Sequence, residues 1–262
     1  MSFEDGRKRL LMVLAVFTSL FHIYFLGFST MNTWSFRICH VAFAMAIIIL
    51  LKPLKTNIRA LNVIIDSVLL LAIIATTAYL IANIGRLAMF LQFKPMQMDV
   101  VVCIIGVILV LETTRRINGN TMVILAVIFI LYGLFGNLLP QMFGHRGYTP
   151  TRLFAYLYSI DGVFGTSVNV SSTYMILFVL FGAVLEGTGG GRLFIEASIA
   201  GFGRYRGGPA KAAVLASAGM GMISGSSAGN VVTTGSFTIP LMKKVGYRPQ
   251  FAGAVEAGAS TG

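Results

Sequence analysis

The sequence predicts an all-α, polytopic membrane protein, and three observations carry that prediction. First, 56% of the 262 residues are hydrophobic and only 11% are charged, a balance outside the range of soluble globular domains. Second, four runs, Leu10 to Phe36, Ser67 to Gly85, Ile117 to Gly144 and Gly162 to Leu185, contain no Asp, Glu, Lys or Arg. Each reaches the ~20 apolar residues that a spanning helix needs. Third, the 20 Lys and Arg residues are spread unevenly between the loops, as the positive-inside rule requires of a membrane protein.

Taken in order, "GRKRL" precedes the first apolar run without a small-residue cleavage site, so that run is expected to be a retained anchor with its N-terminus in the cytoplasm. Ile38 to Leu51 and Val100 to Leu111 are shorter. They can span if Arg37, Lys52, Asp99 and Glu112 snorkel to the interface. About six spans therefore precede residue 190. With alternating spans, 15 basic residues fall inside and 5 outside. The net charge of +11 is thus topological, and nucleic acid is not an expected partner.

That count holds if Ala212 to Met242, 31 residues without a formal charge, enters and leaves on one side. A single helix of that length would be about 46 Å long, well beyond a ~30 Å hydrocarbon core. Gly219, Gly221, Gly225, Gly229 and Gly235 would also weaken it. Two shorter arms turning near "SGSSAGN", a re-entrant hairpin over about residues 210–243, satisfy length and charge together. Irregular backbone at membrane depth is tolerated where it is buried in protein or lines a wet cavity. Half-helix ends, carbonyls and hydroxyls there commonly meet ions and substrates.

The first 113 residues read as a four-helix bundle. His22, His40 and Asp66 lie in or near its spans, where polar residues are functional candidates by default; positions at span ends favour an anchoring role instead. The aromatics and arginines of "PQMFGHRGYTPTRLFAYLYSIDGVFG" suit an interfacial segment. "GGGRLFIEASIAGFGRYRGGPAK" gives a short, weakly amphipathic helix. Cys39 and Cys103 have no CxxC or metal-ligand spacing.

Three motifs need weighing. "GSSAG", Gly225 to Gly229, matches G-x-S-x-G, but all three histidines precede Ser227 and no strand adjoins it, so hydrolysis is not expected. Gly221, Gly225 and Gly229 form two GxxxG spacings, which permit close helix packing. "GTGGG" lacks the GK[ST] ending of a phosphate loop and reads as a connection. Packing alone does not explain Ser224, Ser226, Ser227, Asn230, Thr233, Thr234 and Ser236 within 13 residues. Neutral oxygens with backbone carbonyls suit a weakly bound monovalent cation such as Na⁺, and the hairpin has no carboxylate to favour Mg²⁺ or Ca²⁺. Beyond such an ion, no metal or cofactor is expected.

"SGSSAGNVVTTGSFTIPLMKKVGYRPQFAGAVEAGASTG", Ser224 to Gly262, together with "FGHRGY", "LFVLFGAVLE" and "RGGPAKAAVLASAGMGMI", resembles the large permease subunit of tripartite ATP-independent periplasmic (TRAP) transporters. The resemblance is to the fused type that works with a TAXI-class binding protein, and it covers about residues 110–262. It implies a small-subunit-like bundle over 1–113 and the N-terminal half of a DctM-like transport domain over 114–262. It implies no enzyme, but a Na⁺-coupled symporter of the bacterial inner membrane, importing an organic acid that a periplasmic binding protein delivers. Transport would proceed by elevator-like movement of an inverted-repeat domain. By resemblance Ser224, Gly225, Ser226, Ser227, Gly229 and Asn230 belong to the ion and substrate region, with Thr233 and Thr234 next and Ser260 and Thr261 at the far end. Family members continue past "EAGASTG" into a second, inverted half, so a further expectation is that this chain needs a partner chain bearing that half. The competing reading is a non-transporting membrane scaffold, or a fragment, whose Gly and Ser stretch only packs helices.

Overall fold

The computed structural model describes residues 3–54, 58–91, 94–140, 142, 144–222 and 227–261. Among them every regular element is helical, as the composition predicts. The helices are α1 (Phe3–Gly27), α2 (Thr33–Leu51), α3 (Arg59–Ala82), α4 (Ile84–Phe90), α5 (Gln97–Asn118), α6 (Asn120–Phe135), α7 (Pro150–Leu157), α8 (Thr166–Val170), α9 (Ile176–Gly187), α10 (Gly190–Phe202), α11 (Gly208–Gly221), α12 (Ser227–Lys244) and α13 (Pro249–Ala259). A 3₁₀ turn, Gly136–Leu138, follows α6, and a π turn, Ser171–Met175, joins α8 to α9. Among the described residues five helical stretches are long and apolar enough to cross a membrane: Asp5–Gly27, Thr33–Leu51, Ala60–Ala82, Asn120–Leu138 and Thr166–Leu185. Their large apolar side chains, among them Val13, Phe17, Ile64, Leu71, Phe129 and Phe178, are exposed. That costs free energy in water and none in lipid.

The expected span boundaries move in three places. The run Leu10 to Phe36 is not one helix. α1 ends at Gly27, and Asn32 starts α2 by accepting from the N–H groups of Trp34 (2.9 Å) and Ser35 (3.4 Å) through Oδ1. A side-chain N-cap of this kind satisfies donors that an uncapped start would orphan. The run from Ile117 to Gly144 is helical only to Leu138, ahead of Pro140. In the run from Gly162 to Leu185 the helix begins at Thr166. Phe164, just before it, is instead folded into the core.

The chain divides into two compact units, Met1–Thr173 and Tyr174–Gly262. In the first, α2 packs on α1, α3 and α5. Its buried stripe, Trp34, Ile38, Ala42, Met45 and Ile49, repeats at the spacing of one helix face. α5 is fixed at both ends. At its start Asp99 pairs with both Arg86 nitrogens at 2.7 Å, and its Oδ1 accepts from the Tyr79 hydroxyl at 2.7 Å. At its end Glu112 holds Arg115 and Arg116, and Arg116 reaches Asp66 at 2.7 Å. Between these clamps Gly106 faces the Tyr158 ring so closely that a Cβ would lie 2.2 Å from Cζ. His22 and His40 are joined at 2.9 Å, and His40 meets Ser171 in the π turn at 3.0 Å. His22, His40 and Asp66 therefore all hold partners within the first unit.

In the second unit α10 packs on α11, and α11, α12 and α13 pack on one another. The stretch expected to form a hairpin, about 210–243, contains two helices, α11 and α12, 14 and 18 residues long. At ~1.5 Å per residue the shorter arm is about 21 Å, too short to cross a ~30 Å core. The residues between the arms, 223–226, lie outside the described set.

Candidate functional site

α12 is rich in β-branched and small residues, and Lys243 and Lys244 in its last turn complement the helix dipole. Pro240 leaves α12 without one backbone donor. Asn230, Thr234 and Thr238 follow one another at four-residue spacing and line one face of this helix. All three are at most 1% exposed. α13 starts at Pro249 with φ pre-set for a helix. It turns Glu256 (0% exposed) and Ser260, also at four-residue spacing, toward that face. α11 adds Ser217, also fully buried. A polar seam thus runs among three helices of the second unit.

Its bonding is specific. Thr234 donates to Glu256 Oε1. Thr238 lies 2.5 Å from Oε2. The same two hydroxyls also reach backbone carbonyls one turn back, Asn230 O at 2.8 Å and Thr234 O at 3.0 Å. A hydroxyl carries one proton, so two protons face four acceptors. One turn further along, Asn230 Nδ2 donates to Ser217 O at 2.9 Å and approaches Ser217 Oγ at 3.2 Å, while Ser217 and Ser260 share a 2.7 Å hydroxyl bond. Because a carbonyl can only accept, the amide nitrogen must face Ser217 O. Asn230 Oδ1 therefore points the other way, buried and, among the described residues, without a donor. Orphaned buried acceptors are costly, and among the described residues no ion pair brings positive charge to this seam.

Gly235 makes the approach of α13 possible: a Cβ there would lie 3.1 Å from Glu256 Cγ. A cavity of about 520 Å³ elsewhere in the unit, walled by Tyr205, Pro209, Leu241 and Tyr247, has neither a carboxylate nor a cation in its walls. The seam, and not that cavity, has the chemistry of an ion site. Among the described residues no three His, Cys, Asp or Glu side chains come together. One carboxylate among neutral oxygens fits a monovalent cation better than a divalent one.

Of the residues singled out from sequence, Asn230, Thr234 and Ser260 lie in the seam. Ser227 begins α12 and is exposed, Gly229 lies in its first turn, and Thr233 is half-buried beside the seam face. Thr261 is exposed and bonds Ala257 O at 2.5 Å. Ser224, Gly225 and Ser226 fall outside the described residues. Sequence reasoning missed Ser217, Thr238 and Glu256. The missed signal was a carboxylate in an otherwise apolar run, "FAGAVEAGA", with hydroxyls recurring every fourth residue on α12.

No solved structure matches the chain. Among curated proteins, "Uncharacterized protein y4mL" of Sinorhizobium fredii is 30% identical over 112 residues, which is 43% of this chain. The match spans only 26% of that relative's length. The family described as "Tripartite ATP-independent periplasmic transporter, DctM component" matches residues 105–262, more than half of the chain and the whole of the polar seam. The chain therefore belongs to the DctM component family of tripartite ATP-independent periplasmic transporters.

Proposed function

We propose that the chain is a permease component of a Na⁺-coupled secondary transporter, of the TAXI type, in the bacterial inner membrane with its N-terminus in the cytoplasm. It is not an enzyme. It imports a small organic acid handed over by a periplasmic binding protein. Residues 1–113 serve as the small-subunit-like bundle, and residues 114–262 contribute to the transport domain. α11 and α12 act as the arms of a re-entrant hairpin, and the stretch Ser224 to Asn230 meets substrate and ion.

One observation supports this reading above the others. Within the family-matched region, short helices bury a seam of oxygens that, among the described residues, has too few protons and an orphaned acceptor, Asn230 Oδ1. Helices that only pack against one another need small residues, not an unpaired acceptor whose burial costs free energy. A bound cation relieves that deficit, and its binding is linked to solute binding in a secondary transporter.

Cation binding to the folded state raises stability by mass action, about 2.7 kcal/mol at a hundred times Kd. The test is thermal unfolding of the purified chain in detergent while choline is exchanged for Na⁺, K⁺ or Li⁺ at fixed ionic strength. The expected result is a saturable rise in Tm for Na⁺ that K⁺ does not reproduce and that Asn230→Leu abolishes. Indifference to the cation would overturn the proposal and leave the packing scaffold.

A further inference from the structure

We infer that Glu256 is a positioning residue that supplies the charge of the coupling-cation site. It would act through Thr234 and Thr238 on a monovalent cation held beside Asn230 Oδ1. This inference rests on the proposed function above. It concerns a residue that neither the hairpin's hydroxyl cluster nor its glycine spacings point to.

Three features lead to Glu256. It is the one acidic residue after Glu196 in the sequence, and its side chain is fully buried. Among the described residues its carboxylate forms hydrogen bonds to two hydroxyls and no ion pair. A buried carboxylate is ordinarily matched by a guanidinium or ammonium, as Asp99 is by Arg86 in the same chain at 2.7 Å. Here the matching positive charge is not a side chain among the described residues.

The second feature is the direction of the polar groups. Thr234 and Thr238 each stand between the carboxylate and a carbonyl of α12. A hydroxyl that gives its proton to Glu256 releases its i−4 carbonyl, and one that gives it to the carbonyl turns a lone pair toward the carboxylate. The Thr234 hydroxyl therefore links the electron density of Glu256 to Asn230 O. The third feature is the orphan. Asn230 Oδ1 is buried and, among the described residues, without a donor, on the residue whose carbonyl Thr234 contacts. It lies about one helical turn, ~5.4 Å, along α12 from Thr234. On α13, Ser260 stands one turn beyond Glu256 and bonds Ser217, which in turn holds Asn230. A cation beside Asn230 Oδ1 would have a neutral oxygen ligand and a formal negative charge about one turn away along the seam. At such a separation, in a medium of effective dielectric near 20, removal of the charge weakens binding by roughly tenfold or more.

The test measures the Na⁺ midpoint of the Tm shift in wild type, Glu256→Gln, Asn230→Asp, and the double variant Asn230→Asp with Glu256→Gln. Glutamine keeps the shape and an acceptor oxygen while losing the charge. The expected result is a midpoint raised about tenfold in Glu256→Gln, with Tm in choline little changed. Asn230→Asp, which adds a charge beside the ion, should lower the midpoint. The double variant, in which the charge has moved along the seam, should return most of the way to the wild-type midpoint. A residue that merely braces α12 against α13 would not be rescued by a charge on another helix. An unchanged midpoint in Glu256→Gln, or no rescue in the double variant, overturns the role of Glu256 while leaving the Na⁺ site intact. Should Glu256→Gln not fold, the direction of the Asn230→Asp shift decides: a midpoint that fails to fall overturns the inference. Absence of any Na⁺ effect in wild type would instead overturn the functional reading beneath it.

Discussion

In the first compact unit the buried carboxylate of Asp99 has four donors: two nitrogens of Arg86, the Tyr79 hydroxyl and the Met96 backbone N–H. In the second, Glu256 has, among the described residues, two hydroxyl donors, each shared with a carbonyl. Both carboxylates are removed from solvent, so desolvation penalises them alike. The difference lies in what compensates. Asp99 is over-supplied by its own chain and therefore fixes α5 against α3 and α4. Glu256 is under-supplied, which is the state in which a site responds to an added positive charge. Matched polarity indicates architecture, and a local deficit indicates a place for a ligand.

The largest expected effect comes from breaking the matched side. Arg86→Met leaves Asp99 buried with its hydroxyl and backbone donors but no counter-charge. A loss of about 3–5 kcal/mol is expected, read by thermal or denaturant unfolding in detergent, with the Na⁺ midpoint unmoved. If Arg86→Met were as stable as wild type, the distinction between an architectural and a responsive carboxylate would fail. Next in size is Gly106→Ala, which brings a methyl within 2.2–2.5 Å of the Tyr158 ring atoms. Tyr158 and Phe164 are both fully enclosed and meet edge to face at 4.9 Å, so the ring has little room to retreat. Overpacking of this kind costs about 1–3 kcal/mol, and it too should leave the cation response alone.

The sequence made the helical class legible because each ~20-residue apolar run is a direct consequence of bilayer thickness. Its boundaries were less legible. Leu10 to Phe36 has no formal charge, and what divides it is one Asn32 cap bond pattern that hydropathy does not register. The site was half legible for a related reason. Clustered hydroxyls in "SGSSAGNVVTTG" stand out by density, and they led to Asn230 and Thr234. Glu256 and Ser217 come from other helices, 26 and 13 positions from Asn230, and only the packing of α11 and α13 on α12 brings them to it. Density along the chain cannot show a seam that three helices build together, although a lone carboxylate in "FAGAVEAGA" was a visible cue.

A smaller perturbation sharpens the responsive side. Gly235→Ala places a methyl 3.1 Å from Glu256 Cγ and 3.3 Å from Ile239 Cδ1. The glutamate stem and the isoleucine tip must each give by a few tenths of an ångström, so the stability cost should be about 1 kcal/mol. The Na⁺ midpoint should move by several-fold, because the carboxylate shifts against both threonines. Stability lost without any change in the midpoint would show that the seam tolerates displacement of Glu256.

The smallest effect on stability is expected from Ser217→Ala. The change removes one hydroxyl from the 2.7 Å bond to Ser260 and from the 3.2 Å approach of Asn230 Nδ2, yet leaves the 2.9 Å bond from that nitrogen to Ser217 O. Since the amide keeps its strongest anchor, Asn230 Oδ1 keeps its direction, and the loss should be about 0.5 kcal/mol. Ser217 lies on the amide-nitrogen side of Asn230, so a cation beside Oδ1 keeps its ligand. The Na⁺ midpoint of Ser217→Ala should therefore stay level, in contrast to the rise in Glu256→Gln. A midpoint that rises in both variants would mean that Ser217 itself ligates the ion, and would move the cation from the α12–α13 seam toward α11.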